Sequence, residues 1–491
     1  MKKLEIIVSI LSLCFVLLFF LQPLPAQGYG GPLQFHGVDH FTLHSAASRA
    51  AGGISIGARQ EVGLMFQNPA TLHSIQSIQI SLGGAYFSND LKQEQNFAPV
   101  RYYPNLSLLL EGLTARIPDP DTSLFGFTAQ DTVQRPFDDI KPNWSRSNSD
   151  NIPLQAMLAI PVWSGIVVGA GAAEYANLNH YYQNNNVLSP SILSQRPLPT
   201  MRPTDDNPLE VEWLQSIRSR EGSIQGYGIA IAGKVEKLNL SLGFSGLMLR
   251  GSSDDFEQEV GRGHLTFFSN AFRIDSVYRR ITKIGTSDFS GQEYTLSGIL
   301  GGPYVSLGFS IKLPTTITRK YSMEVTTDTT GTPSVSRFEG EDKLRLPWRG
   351  IIGLSLTPRQ NLKVGLEYEH RPYKSVRYVA PDGSESAPWL PASLFRAGVE
   401  YEVASWLVLR GGMRGEAEVF EPEGNKLEGE AVKYTVYSAG FGIFYGGVRM
   451  NVTYENSLMK YQDIWSSAIS KNSDRCHTLV ADLSYALPPL W

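Results

Sequence analysis

Three histidines, His36, His40 and His44, recur at four-residue spacing beside Asp39, and on a helix such a row could hold a divalent metal. The segment around them is rich in Ala, Gly and Ser and offers no fixed fourth ligand, so no metal is expected. Gly243-Phe244-Ser245-Gly246 falls short of a hydrolase nucleophile elbow, which also needs a strand-turn-helix setting. No convincing Ser and His pair stands on adjacent strands. The chain is therefore expected not to be an enzyme, with no catalytic residue and no cofactor. Of its two cysteines, Cys14 falls in the leader, which leaves Cys476 without an intramolecular partner. The remaining candidates are cationic: Arg396, Arg410 and Arg414 are of the type that recognises a carboxylate.

Those arginines belong to a run of alternating strands. From Asn361 to His370, Leu362, Val364, Leu366 and Tyr368 alternate with Lys363, Gly365, Glu367 and Glu369, a period of two that gives a strand two unlike faces. Phe395, Ala397, Val399 and Tyr401 repeat this against Arg396, Gly398, Glu400 and Glu402, and Val448, Met450, Val452 and Tyr454 against Arg449, Asn451, Thr453 and Glu455. A soluble sandwich would turn the apolar face inward, so alternation alone leaves the environment open. The connections narrow it. Short links (Thr357 to Gln360, Val403 to Ser405, Phe444 to Gly447) alternate with long ones (Lys374 to Ala392, Ala417 to Ala431, Lys460 to Asp474), as in a transmembrane meander with tight turns at one end.

The chain of 491 residues opens with Met1-Lys2-Lys3, an apolar run from Ile6 to Leu21 and Pro23-Leu24-Pro25-Ala26, which reads as a secretory signal peptide (1–26). Beyond it no apolar run approaches the ~18 residues of a membrane helix. A mean hydropathy of −0.15 suits a wall in which only alternate residues meet lipid. The net charge of −4 comes without the basic stripe that nucleic acid requires.

Residues 27–75 break the alternation and are expected to form a compact irregular segment. Its marks are Ala47-Ser48-Arg49-Ala50-Ala51-Gly52-Gly53, Glu61-Val62 and Asn68-Pro69-Ala70-Thr71-Leu72, directly ahead of the first strand. In these motifs, in the C-terminal hairpins and in layout, the sequence resembles the FadL/TodX-type family of outer-membrane transporters for long-chain fatty acids and hydrocarbons. The resemblance implies an all-β, up-and-down antiparallel barrel of about 14 strands (76–491) whose lumen is plugged by an N-terminal hatch (27–75). Arg49, Gly52, Gly53, Asn68, Pro69 and Ala70 would be the hatch motif. It further implies the bacterial outer membrane, contact with its lipid, passive uptake of a hydrophobic small molecule, and insertion by the barrel assembly machinery through the C-terminal strand. FadL-like barrels also serve secretion as cargo-shuttling partners, so a structural or secretion role stays open beside transport. Gln60-Glu61-Val62 departs from the acidic, serine-containing run that usually precedes Asn-Pro-Ala, which puts the substrate in doubt.

Fourteen strands are expected, the first seven at 77–87, 152–162, 166–176, 227–234, 238–249, 303–313 and 317–326, the last seven from Arg349 onward. The stretches 88–151, 177–224 and 250–302 are expected as long extracellular loops. Two loop segments read as amphipathic helices: Phe268, Phe272, Ile274, Val277, Ile281 and Ile284, and Val211, Trp213, Leu214 and Ile217. They either cap the barrel mouth or, as the resemblance implies, give a greasy landing groove around Trp213, Phe268 and Phe272. The charged strand faces must point inward, since Arg or Lys against midplane lipid costs roughly 2–4 kcal/mol. There they either line a wet lumen and fasten the hatch, or Arg396, Arg410 and Arg414 bind a ligand carboxylate. Gly165, Gly169 and Gly171 in the third strand either give the hatch room or, as in the family resembled, bend the strand and open a lateral window to the bilayer.

Overall fold

The computed structural model describes residues 33–42, 45–56, 61–95, 143–163, 165–189, 204–268, 272–275, 279–302, 304–329, 332–419, 432–465 and 468–487. The leader, His44 and the middle of the first long loop lie outside them. A short helix, α1 (Ala46–Ala50), and two 3₁₀ turns (Val62–Leu64 and Pro69–Ser74) precede one antiparallel sheet. Its first half comprises β1 (Gln79–Gln95), β2 (Trp144–Trp163), β3 (Ile166–Asn177), β4 (His180–Ser189), β5 (Leu209–Val235), β6 (Leu240–Phe267), β7 (Phe272–Asp275), β8 (Arg280–Gly301), β9 (Val305–Lys312) and β10 (Thr315–Asp328). The second half comprises β11 (Ser334–Leu346), β12 (Arg349–Arg359), β13 (Leu362–His370), β14 (Arg377–Val379), β15 (Glu385–Ser386), β16 (Leu394–Ala404), β17 (Leu407–Ala417), β18 (Lys433–Tyr445), β19 (Val448–Trp465) and β20 (Ala468–Ala486).

Sixteen of these segments form a closed wall of fourteen strands, β9 with β10 and β11 with β12 each making one. β1 pairs β20 from Gln79↔Ala486 to Gln95↔Ser470, so the sheet has no free edge within the wall. The alternation resolves with its apolar face outward. Ile80, Leu82, Tyr86, Tyr368, Phe395, Val399, Leu409, Tyr454 and Leu483 are exposed, whereas Glu367, Glu369, Arg396, Arg410 and Glu455 are buried in the lumen. A core of that polarity with such a surface fits a barrel in lipid and no sandwich in water.

The count of fourteen holds with different members. The turn expected at Pro314-Thr315-Thr316 is a kink, because pairing continues across it from Lys312↔Arg349 to Thr315↔Leu346. Pro314 and Pro347 interrupt the two strands at that level, and proline has no amide hydrogen for a ladder. The segments expected as separate strands at 303–313 and 317–326 are thus two halves of one. The missing member is β8, in the stretch expected as loop 250–302 with an amphipathic helix. Ile281 and Ile284 lie on β8, Phe272 and Ile274 on β7, and Trp213, Leu214 and Ile217 on β5, so neither expected helix is present among the described residues, outside which Val277 lies. Likewise β1 extends to Gln95 and β2 begins at Trp144 inside 88–151, while β4 and the start of β5 occupy much of 177–224.

The physical reason is length. β5 has 27 residues and β6 has 28, roughly 90 Å each at ~3.3 Å per residue, whereas a tilted strand crosses the apolar layer in ~9–11 residues. The ends near the β5–β6 turn carry the lipid face, with Tyr227, Ile229, Ile231, Leu242, Phe244 and Met248 exposed. The far ends, with Glu257, Gln258 and Glu259, rise beyond the apolar band and pair β8 and β7. There no lipid imposes alternation.

Candidate functional site

The N-terminal segment sits inside the barrel. Phe35, Val62, Met65, Phe66 and Leu72 share one buried core with the wall residues Met157, Val167, Ala230, Ala232, Leu247 and Leu249. α1 starts at Ser45, whose side chain accepts from the Ser48 amide at 3.2 Å. It ends at Gly52 and Gly53, both at positive φ (71° and 84°), and a Cβ on Gly52 would lie 2.4 Å from the Ala397 carbonyl oxygen. Turn and close approach both demand glycine there. Pro69 opens the second 3₁₀ turn, and the Ala70 amide donates to Ser297 Oγ at 2.8 Å. A Cβ on Gly243 would come 2.3 Å from the Ala70 nitrogen. The Gly243-Phe244-Ser245-Gly246 stretch is therefore a wall segment of β6 that makes room for the hatch.

Charged side chains of the wall hold the hatch from two sides, and on both a carboxylate accepts one of its amides, Glu257 taking that of Leu33 at 3.0 Å. On the C-terminal side carboxylates accept. Glu367 Oε1 receives the Ser55 and Ile56 amides at 2.6 Å each, Asp482 Oδ2 receives the Ala46 amide at 2.8 Å, and Glu455 receives the Arg49 guanidinium, with Nε at 3.1 Å. On the other side arginines donate. Arg220, held by Asp255 at 2.6 and 2.8 Å, reaches the Gln34 and His36 carbonyls at 3.2 Å, and Arg319, held by Asp342, reaches the Leu33 carbonyl at 2.8 Å. Each such arginine spends its remaining donors on a charge-assisted pair.

The three arginines considered for ligand recognition are neutralised by protein carboxylates. Arg396 pairs with Glu367 and Glu369, Arg410 with Glu400 at 2.6 Å and Asn451 at 2.9 Å, and Arg414 with Glu416 at 2.9 Å and Glu455. Arg396 and Arg410 are buried, and two of the partner carboxylates, Glu367 and Glu455, also bind the N-terminal segment. Phe268 is half-buried just beyond β6, and Trp213 and Phe272 stand on different strands, β5 and β7.

Gly165 lies in the β2–β3 turn at φ 78°, its carbonyl accepting from the Lys234 amide at 3.0 Å. A Cβ on Gly169 would meet Met65 Sδ at 2.8 Å, and one on Gly171 the Ala156 carbonyl at 2.5 Å. Both glycines sit in unbroken pairing, Ala159↔Gly169 and Met157↔Gly171. The break comes farther along. β2–β3 pairing stops at Gln155↔Ala173, the β3–β5 register slips between Glu174 and Ala176, and Phe41 of the hatch bridges Ala176. The Thr42 amide donates to the Tyr175 carbonyl at 3.2 Å and the Asn177 amide to the His40 carbonyl at 3.3 Å. β3 thus leaves β2 and takes the hatch as its partner. Opposite, β1–β2 slips at Gly83/Gly84, where Pro153 faces Gly84. A cavity of about 580 Å³ opens there, lined by Leu82, Pro153, Ala156, Ala172 and Leu483. The signal in the sequence was Pro153 within a strand, which marks an interrupted ladder.

Beyond the hatch lies a second, polar chamber of about 260 Å³, lined among others by Asp39, His40, Arg49, Glu418 and Asp474. Of the three histidines, His40 lines it, His36 does not, and His44 lies outside the described residues. His36 stacks on His180 with centroids 4.9 Å apart, while His40 Nε2 lies 3.4 Å from Glu418 Oε2 and 3.9 Å from Asp39 Oδ2. Burial raises Asp39 to about 6; burial opposes charge on His40, but the facing Asp39 and Glu418 outweigh it and raise His40 to about 10. Glu418 gave no motif to read, because its partner stands 378 residues away.

No family model and no curated protein matches the sequence. Solved structures do. A FadL homologue of Pseudomonas aeruginosa aligns over 91% of this chain and 99% of its own at 12% identity and TM-score 0.55. The toluene transporter TodX of P. putida aligns over 92% and 100% at 13% identity and TM-score 0.55. A TodX monoaromatic hydrocarbon channel mutant aligns over 91% and 99% at 15% identity and TM-score 0.57. With its fourteen-strand closed wall and its N-terminal segment inside, this chain has the FadL-like barrel fold.

Proposed function

We propose that the protein is an outer-membrane barrel for passive uptake of hydrophobic small molecules, long-chain fatty acids or hydrocarbons, which leave sideways where β3 parts from β2. Residues 1–26 export the chain, 27–75 plug it, and the C-terminal strand addresses it to the barrel assembly machinery. The observation that carries this reading is the end of β2–β3 pairing at Gln155↔Ala173 beside the apolar cavity at Pro153, Ala156 and Ala172. A greasy solute released into water forfeits about 0.8 kcal/mol per CH₂, and a side exit into lipid avoids that loss. The names of the structural neighbours, toluene transporter and hydrocarbon channel, agree with an apolar cargo. The opening moves from the Gly165, Gly169 and Gly171 stretch to the next turn of the strand. Ala156→Trp with Ala172→Trp should lower uptake of a fluorescent long-chain fatty acid by proteoliposomes several-fold, with the heat-modifiable folded form retained. Unchanged uptake by the folded double variant would overturn the route.

A secretion or scaffold role is favoured by one feature, the sheet that rises beyond the apolar band. β11 pairs β10 along its length but β14 only at Lys343, Leu344 and Arg345, so on the side away from β10 the stretch from Ser334 to Asp342 has no second strand partner among the described residues. Loss of an exported cargo in a strain lacking the barrel, with tracer uptake intact, would select that reading.

A further inference from the structure

We infer that the polar chamber holds a divalent metal ion bound by Asp39, His40 and Glu418, joining the hatch to the segment that follows β17. Spacing along the chain argued against a metal, because His36, His40 and His44 lacked a further ligand. Folding supplies ligands from elsewhere. One donor atom from each of Asp39, His40 and Glu418 lies within 4.8 Å of the others. His40 Nε2 is 3.4 Å from Glu418 Oε2 and 3.9 Å from Asp39 Oδ2. Ligands bound at ~2.0–2.2 Å stand roughly 3.3–3.6 Å apart around a tetrahedral ion, so the His40–Glu418 pair already fits, His40 and Asp39 need close by about 0.3 Å, and the two carboxylates by at most about 1.2 Å.

A second observation points the same way. The Asp39 side chain is only 3% exposed, and its Oδ1 has no hydrogen-bond partner. Buried carboxylate oxygens without a donor are uncommon unless an ion satisfies them. Asp474 lines the same chamber, and its Oδ1 is also without a partner. The ion itself would be held by two carboxylates and one imidazole. Arg371 also lines the chamber, with its Nε held by Glu369 at 2.7 Å.

One imidazole nitrogen with carboxylate oxygens suits Zn²⁺ or another first-row divalent ion. Glu418 is presented rigidly, its amide donating to the Val432 carbonyl at 2.8 Å, and Asp39 and His40 adjoin Phe41 and Thr42, which pair β3. An ion here ties the hatch to the wall beside the point where β3 leaves β2. The inference stands independently of what the barrel transports.

Zn²⁺ titration of the detergent-purified, chelator-stripped full barrel tests this, with bound metal counted by elemental analysis and affinity by calorimetry. We expect one Zn²⁺ per chain. Asp39→Asn and Glu418→Gln, each checked for the heat-modifiable folded form, should weaken it by more than the roughly tenfold that loss of even an outer partner costs. Absence of stoichiometric Zn²⁺ in the folded wild-type barrel would overturn the inference. So would binding that survives both substitutions but is lost in Cys476→Ser.

Discussion

The two halves of the wall solve different problems. From β12 to β20 most strands are short, turns are tight on one side, and charged lumen faces alternate with lipid faces residue by residue. From β5 to β11 the strands run far beyond the apolar layer, and only their near ends alternate. Both halves fasten the hatch; carboxylates that accept its amides stand in both, at Glu367 and at Glu257, whereas the arginines that donate to its carbonyls, Arg220 and Arg319, belong to the second. Lipid thus shapes the pattern only where it is present, while the need to satisfy a plug's backbone acts all around the lumen.

The largest test of that contrast removes a buried charge. Arg396→Met removes the guanidinium from two buried carboxylates, leaving Glu369 to Arg371 and Glu367 to the Ser55 and Ile56 amides, and should cost about 3 kcal/mol, read as a lower temperature for loss of the fast-migrating folded form. An unchanged transition would mean the C-terminal lumen is wetter than its burial implies. Next, Leu483→Arg on the lipid face should cost roughly 2–4 kcal/mol, whereas Ile284→Arg, equally exposed but on the far part of β8, should stay within about 0.5 kcal/mol. Equal penalties in urea titrations of refolded barrels would place β8 in the bilayer and erase the distinction.

A smaller effect is expected at the hatch seam. A Cβ on Gly398 would lie 2.0 Å from the Ala51 carbonyl oxygen, so Gly398→Ala should loosen the plug by about 1–3 kcal/mol of overpacking. Single-barrel conductance should rise while the wall stays assembled. Unaltered conductance would argue that the seam yields without moving the hatch.

The smallest effect depends on pH. Burial, then the nearby Asp482, raises Glu61 from 4.5 to about 7, against the opposing influence of Arg410 and Arg449. A carboxyl raised on folding contributes fully below about 4.5 and loses that contribution as pH rises through 7. Hatch retention should therefore weaken slightly between those values, and Glu61→Gln should flatten the profile. A variant that keeps the slope would move its origin to another group.

Read alone, the sequence determined the alternating faces and the inward charges, which depend on local periodicity; its total of fourteen wall strands agrees because one strand counted twice offset one that was missed. It misplaced β8 and the β9–β10 kink, because strands beyond the lipid carry no enforced alternation and a proline kink resembles a turn until its cross-strand partners are known. It also left undecided whether Arg396, Arg410 and Arg414 serve a ligand or the wall. Only the closed register brought Glu455 to Arg49, Glu367 to the Ser55 and Ile56 amides, and Glu418 to His40. Such partners lie hundreds of residues apart, and nothing in the spacing of either one encodes the other.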